Sequence, residues 1–279
     1  MNVTIQQCYV RQDTLTDPGE FAGAYDDLPE TISGLREVVS GLIVHVALAE
    51  RYGIPPDTPM VRQTQPVADR LKSIQASFAG SLTAARPPRS RTFGTCRDYA
   101  LLLCSMLRSR SIAARVRCGF ATYIGDDIYH DHWICEYWSP ADKRWRQADA
   151  QLDALQIDQQ QITFDCANLP SDAFLTASQA WRLARSNAVA AGAFGHAPTT
   201  GLWFLHVNVY RDLLSLTNRQ ISAWDGWRDA PPGGKVLKVG ALAELDRLAE
   251  LVTAFEDGAE PFAVLDAAAS RCLTPSWLS

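Results

Sequence analysis

The sequence predicts an α+β fold in which a cysteine-bearing helix packs on a small antiparallel sheet, with further helices on both sides. Apolar residues recur at intervals of three and four over most of the chain, as in amphipathic helices. Residues 113–124 instead alternate as in a strand, and residues 129–149 have the aromatic-rich pattern of a hairpin. The 279 residues are 47% hydrophobic, which suits a globular chain near the upper size that one core supports. We therefore predict a single elaborated domain over residues 1–279.

The N-terminal part, residues 1–91, is predicted to be mainly helical after an irregular start. Apolar residues recur at helical spacing over residues 30–51 and stop at Tyr52-Gly53, which predicts one long amphipathic helix ended by glycine. A second, shorter helix is expected to start near Pro66. We interpret both helices as scaffold.

A cysteine opens the next helix. Thr95 and Asp98 have the spacing of a capping box, which makes Thr95 the N-cap and Cys96 the first helical residue. The unpaired amides and the dipole at a helix start favour an anion, so a thiol placed there loses its proton more easily. The alternative is that Cys96 is a buried and inert thiol, since free cysteine is among the most buried residue types.

A strand and a hairpin are predicted after this helix. Residues 113–124 alternate as in a strand, and Gly125-Asp126-Asp127 predicts a turn. Residues 129–138 and 143–149 are predicted to form an antiparallel hairpin around a four-residue loop, Ser139 to Asp142.

The predicted hairpin register brings a histidine opposite a carboxylate. If Trp138 faces Lys143, counting outward places His132 opposite Asp149, so that Asp149 can accept a hydrogen bond from the His132 imidazole. A slip of one residue would turn one partner to the other face. On the same face Glu136 is either a group near the site or an exposed strand residue.

His130 shares the predicted face of His132 and is the rival candidate for a catalytic base, whereas Asp131 lies between them and points away. Two histidines at positions i and i+2 of a strand can also ligate zinc, but at least one further ligand is needed. The nearest candidates are Asp149 and His206, and a metal site is kept as an alternative.

The C-terminal part, residues 153–279, is predicted to be helical. Its clearest break is Pro231-Pro232-Gly233-Gly234. The predicted helices are Thr176 to Phe194, Leu202 to Arg219, a segment from Leu242 to Phe255, and Pro261 to Arg271.

Composition narrows the classes of partner. A net charge of -5 disfavours nucleic acid as the main ligand, and no apolar run approaches the roughly 20 residues of a membrane span. Residues 1–9 lack the pattern of a signal peptide. Seven cysteines without a C-x-x-C spacing argue against a disulfide framework and a zinc knuckle. We expect a cytoplasmic protein with reduced thiols, no cofactor, and no nucleic-acid or membrane partner.

The residues of this central region resemble a known family. Gly94-x-Cys96, His132-x-x-x-Glu136 and Trp145-x-x-x-Asp149 follow one another as in the transglutaminase-like superfamily, whose members have a papain-like Cys-His-Asp fold. The resemblance covers residues 92–152. One departure is Trp133 directly after the histidine, where members often have tryptophan one position later. More loosely, the flanks resemble stand-alone bacterial members through Trp203, Asn208-Val209-Tyr210-Arg211-Asp212 and Trp224-Asp225.

The resemblance implies acyl transfer through a thioester, with Cys96 as nucleophile, His132 as base and Asp149 as the group that orients the base. The expected substrate is an amide in a peptide or small molecule, resolved by water or by an amine. The alternative is a catalytically silent member of the family that serves as a binding module.

Eight arginines surround the nucleophile in sequence. We expect Arg97 to hold an acidic group of the substrate. Glu136, Trp133 and His130 are the other candidates for substrate contact, and His206 and Trp203 could line a pocket. For most of the arginines the alternative is a solvated face of a helix or strand. The eight are at positions 86, 89, 91, 97, 108, 110, 115 and 117.

Overall fold

Cys96 begins a helix that is buried along almost its whole length. The computed structural model describes residues 5–60, 65–125, 128–219 and 236–272. The chain divides into two compact units, Met1–Val116 with Ile134–Leu169 and Arg117–Trp133 with Pro170–Ser279. The architecture is mixed α+β, which confirms the predicted fold class.

The first unit holds the cysteine helix. Its elements before the central sheet are α1 (Ile32–Leu42), β1 (Ile43–His45), α2 (Val67–Ser77), β2 (Thr92–Gly94) and α3 (Cys96–Ser109). Strands β1 and β2 pair in parallel, so β2 is fixed immediately before the cysteine. In α3 every residue from Cys96 to Arg108 is buried.

The single helix predicted over residues 30–51 is wrong. α1 ends at Leu42, β1 follows, and residues Val46–Tyr52 form a 3-10 helix. The β-branched Ile43 and Val44 favour an extended backbone, and here that backbone finds a partner in β2. The glycine stop is confirmed: Gly53 has a φ of 69° and its N–H bonds back into the last turn.

The central strands lie where the sequence predicts them. They are β3 (Ala114–Ala121), β4 (Tyr129–Ser139) and β5 (Arg144–Ala148), followed by a short helix, α4 (Ala154–Gln159). Strands β3 and β4 run through both units. The sequence pattern did not predict β6 (Phe174–Thr176), β7 (Phe194–His196) and β8 (Thr199–Thr200). The strand order is β6-β3-β4-β7-β8, with β5 paired to β4.

The predicted register of the hairpin is wrong by two residues. Trp138 pairs with Trp145 and Ser139 with Arg144, so the loop runs over residues 140–143. Ser139 Oγ bonds to the Asp142 carboxylate at 2.6 Å, and Lys143 adopts a left-handed φ of 53°; together these close the loop one position later than predicted.

The direct pairing of His132 with Asp149 therefore does not hold. Because the shift is an even number of residues, it leaves every side chain on its predicted face. Glu136 still shares a face with Gln147, its partner on β5.

The second unit carries four α-helices within its described residues, namely α5 (Ala177–Arg185), α6 (Leu202–Leu216), α7 (Val239–Glu256) and α8 (Phe262–Ser270). The helix predicted from Thr176 to Phe194 is too long, since it ends at Arg185. Phe194 belongs instead to β7, where it pairs with Tyr129 of β4. The predicted break at residues 231–234, the motif at 224–225 and two residues of the turn at 125–127 lie outside the described residues. Where the helices are described, none is both long and apolar enough to cross a membrane.

Candidate functional site

The turn that presents Cys96 is held by a reciprocal cap. Thr95 is the N-cap of α3, and the predicted capping box is present. The Asp98 carboxylate accepts a hydrogen bond from the Thr95 N–H at 2.7 Å and another from the Thr95 hydroxyl at 3.1 Å. Cys96 is therefore the first residue of the helix, with its side chain 4% exposed. The helix-start position predicted for this thiol is confirmed.

A buried ion pair fixes the same turn from outside the helix. Arg70 of α2 donates to Asp98 at 2.7 Å and also to the Phe93 carbonyl of β2. Gly94 lets the end of β2 approach the Asp98 side chain closely, because a Cβ at position 94 would lie 3.0 Å from the Asp98 Cβ. The sequence analysis missed Arg70. Its signal was an arginine three residues after Val67, on the apolar side of α2.

Asp149 follows β5 directly and is buried. Its carboxylate accepts a hydrogen bond from the Gln151 N–H at 2.8 Å, and its own N–H donates to the Cys166 carbonyl at 2.9 Å. Burial, with the Asp149 charge as a lesser cause, raises the pKa of the Cys166 thiol to about 11. Both the backbone and one carboxylate oxygen of Asp149 are thus fixed in the first unit.

Glu136 is a buried ion-pair partner, and the alternative that it is an exposed strand residue is wrong. Its carboxylate accepts from Arg115 Nε at 2.8 Å and from Gln147 Nε2 at 3.2 Å. The Arg115 guanidinium lies over the Trp145 ring, 4.1 Å from its centroid. This cluster joins β3, β4 and β5 on one face of the sheet. A contact of Glu136 with substrate stays a prediction.

Glu136→Gln should lower the free energy of unfolding by about 2 kcal/mol, because Arg115 would keep its buried charge and lose a charge-assisted bond. Urea unfolding of the variant measures the change. Asp142→Asn is the matched control on the same hairpin, since its partner Arg146 is only partly buried. Equal losses in the two variants would contradict a stabilising role for the buried pair.

His132 lies in the second unit, on β4, and is 1% exposed. Its ring meets the half-buried Tyr123 ring in a T-shaped contact with centroids 6.1 Å apart. Asp131 does point to the other face, as predicted, because its carboxylate accepts a hydrogen bond from Asn208 of α6 at 2.7 Å.

His130 is half-buried and lies close to Gly125, which precedes β4 in the chain. A Cβ at Gly125, whose φ is 72°, would come within 2.6 Å of His130 Nε2. The backbone of His130 is held from the other side by its pairing with Gly195 of β7. A substrate contact of His130 stays a prediction.

The arginines around the nucleophile are mostly inside the protein, so the alternative of solvated faces is wrong for the majority. Arg108 donates to the Ala114 carbonyl and pairs with Asp13 at 3.0 Å. Arg97 and Trp133 are each 2% exposed, and their substrate contacts stay predictions. Of the eight arginines, the buried ones are at positions 86, 97, 108, 115 and 117.

The metal alternative finds no support in the described part of the chain, where no three His, Cys, Asp or Glu side chains form a group that could hold an ion. His206, one of its candidate ligands, lies on α6 against the Tyr210 ring. Burial lowers the pKa of His206 to about 4. Trp203, on the same helix, is buried as well, so the pocket role of either residue stays a prediction.

A comparison with models of known protein families identifies one family that part of the chain resembles. The family model of the transglutaminase-like superfamily matches residues 60–150. This segment is similar to the core of that superfamily. It contains all three residues of the predicted triad and reaches further toward the N-terminus than the predicted core of residues 92–152, so that Arg70 belongs to it. The triad itself stays a prediction.

Among solved structures, one match is a protein from Cytophaga hutchinsonii that is described provisionally as a cysteine protease. It is 14% identical to this chain, and the TM-score is 0.37. The alignment covers 60% of this chain and 44% of that one, so the chain matches less than half of its length. A comparison with curated protein sequences gave no match.

Proposed function

We propose that the protein is a cysteine-dependent enzyme that cleaves or transfers acyl groups through a thioester on Cys96. The observation that carries the proposal is that Cys96 opens a capped, buried helix inside the transglutaminase-like core. A thiol at a helix N-terminus faces unpaired amides and the positive end of the dipole, both of which favour the thiolate nucleophile.

The proposed reaction has two steps. His132 takes the Cys96 proton as the sulfur attacks the carbonyl carbon of an amide, and it then protonates the leaving nitrogen as the C–N bond breaks. Water or an amine, deprotonated by His132, next attacks the thioester, and the C–S bond breaks to return the thiol. Asp149 holds the His132 ring in the productive tautomer. The Cys96 N–H, at the start of α3, donates to the oxyanion.

The proposed substrate is an amide in a peptide or a small molecule that carries an acidic group. Arg97 follows the nucleophile directly, and a guanidinium binds a carboxylate in a bidentate manner. A panel of matched acidic and neutral amides tests this preference in the experiment below.

The experiment is to trap the acyl-enzyme and measure its intact mass. The wild-type protein, Cys96→Ala and Cys8→Ala are incubated with the panel, with and without a primary amine. Cys8 is a suitable control because it is partly exposed and burial raises its thiol pKa. We expect an acyl adduct on the wild type and on Cys8→Ala, and none on Cys96→Ala. Loss of the adduct on adding the amine, with an amide product, identifies transfer.

An adduct that persists in Cys96→Ala would contradict the proposal. If no substrate acylates the protein, iodoacetamide labelling below pH 8 decides between an enzyme and a silent binding module. An activated Cys96 reacts faster than the other six thiols. Equal rates at all seven, together with no turnover, would favour the binding module.

A further inference from the structure

The proposed reaction leaves one sequence motif without a role, Asn208-Val209-Tyr210-Arg211-Asp212 on α6. Two of its residues, Asn208 and Asp212, are fully buried and contact the two central strands of the second unit. The Asp212 carboxylate accepts two bonds from the Arg117 guanidinium, at 2.9 and 2.8 Å, and one from the Cys118 N–H at 2.9 Å. These contacts fix α6 on β3.

The same motif holds β4 next to the proposed base. Asn208 Nδ2 donates to Asp131 Oδ1 at 2.7 Å, and Asn208 Oδ1 accepts from Arg211 Nη1 at 3.2 Å. Asn208 is fully buried, so an amide without these bonds would cost about 1–3 kcal/mol. The amide is the group that fits here, because it donates to a carboxylate on one side and accepts from a guanidinium on the other.

Alternation of side chains along β4 relates the hydrogen bond between Asn208 and Asp131 to the position of His132. Side chains of successive strand residues point to opposite faces, so Asp131 shares a face with Tyr129 and Trp133 while His132 points the other way. Tyr129 stacks on Phe194 at 4.7 Å, and Trp133 is buried. Three alternate residues of β4, with their side chains on one face, therefore anchor the backbone that carries the His132 ring on the other face.

We infer that Asn208 is a positioning residue for His132: by holding Asp131 against α6, it fixes the β4 backbone at the residue that supplies the proposed base. The inference rests on the proposed function for the role of His132. It does not require that Asn208 touch the substrate.

Three variants test this inference. Asn208→Ala removes the link. The exchange Asp131→Asn with Asn208→Asp restores it in reverse, because the new amide at 131 donates to a carboxylate at 208 that still accepts from Arg211. Thr217→Val is the control, since it removes another buried hydrogen bond of α6, from the Thr217 hydroxyl to the Leu213 carbonyl, away from β4. The two readouts are steady-state kinetics and the ¹³Cε1 signal of His132, assigned with His132→Gln.

For Asn208→Ala we expect kcat to fall about 10- to 100-fold, since a displacement near 1 Å costs that much, with KM changed less than threefold. The His132 signal should shift or broaden. The exchange should restore both readouts to within about threefold of wild type, and Thr217→Val should leave both unchanged.

Two outcomes would overturn the inference. One is an unchanged His132 signal in Asn208→Ala. The other is an exchange variant that restores the signal without restoring kcat, because the charge of Asp131, and not its position, would then be what matters. If the wild type shows no turnover, the proposed function fails, and the His132 signal still decides whether Asn208 positions the ring.

Discussion

His132→Ala is expected to lower kcat/KM of the Cys96-dependent reaction about 10²- to 10⁴-fold, the contribution usual for a general acid–base group. The variant loses the group that accepts the thiol proton and donates a proton to the leaving nitrogen. Both proton transfers belong to the acylation step, which kcat/KM reports. Initial rates of product formation with the best amide of the panel measure the loss of kcat/KM. Acylation by an activated ester should fall less, because its leaving group needs no proton.

His130→Ala is the matched control for this prediction. His130 lies two residues earlier on the same strand and close to Gly125, so its removal should cost less than tenfold. A large loss in His130→Ala together with near-normal turnover in His132→Ala would identify His130 as the base and contradict the assignment made from the sequence.

Arg70→Met is expected to lower the free energy of unfolding by about 3–5 kcal/mol, because it leaves the Asp98 carboxylate buried without its charge partner. Both side chains of this pair are at most 2% exposed. Combining Arg70→Met with Asp98→Asn should recover part of the loss, since the neutral amide still accepts the Thr95 N–H. Chemical unfolding of the two single variants and the double variant measures the coupling.

Arg185→Met provides the comparison on the surface. Arg185 and Asp246 form an equally short pair, at 2.8 Å, but both side chains are more than one-third exposed. Solvent screening limits such a pair to at most about 1 kcal/mol. Comparable losses of free energy of unfolding in Arg70→Met and Arg185→Met would show that burial does not strengthen the pair of Arg70 with Asp98.

The features of the site that depend on residues close together in the sequence were predicted correctly. The capping box needs only Thr95 and Asp98, three residues apart, and it forms as predicted. The faces of the hairpin follow from alternation and were also correct. Its register failed because it depends on where the loop closes, and there Ser139, Asp142 and the left-handed Lys143 decide the outcome. A pattern of apolar residues carries no information about that choice.

The buried arginines could not be predicted, because their partners are distant along the chain. Arg108 pairs with Asp13, and Arg117 pairs with Asp212. In sequence these residues look like the solvated charges of a helix and a strand, and only tertiary structure brings the carboxylates to them. The long helix expected at residues 30–51 failed for the same kind of reason, since the partner strand of Ile43–His45 begins at Thr92.

The pairing of β1 with β2 also makes the turn before Cys96 depend on residues outside the segment that the family model matches. The segment that the family model matches, residues 60–150, leaves out Ile43–His45, the strand that pairs beside Gly94. The Tyr99 hydroxyl of α3 donates to the Ile43 carbonyl of that strand at 3.0 Å. A fragment cut at the family boundary would expose one edge of β2 and leave that hydroxyl without its acceptor. The segment that resembles the family is therefore shorter than the part of the chain that supports the turn before Cys96.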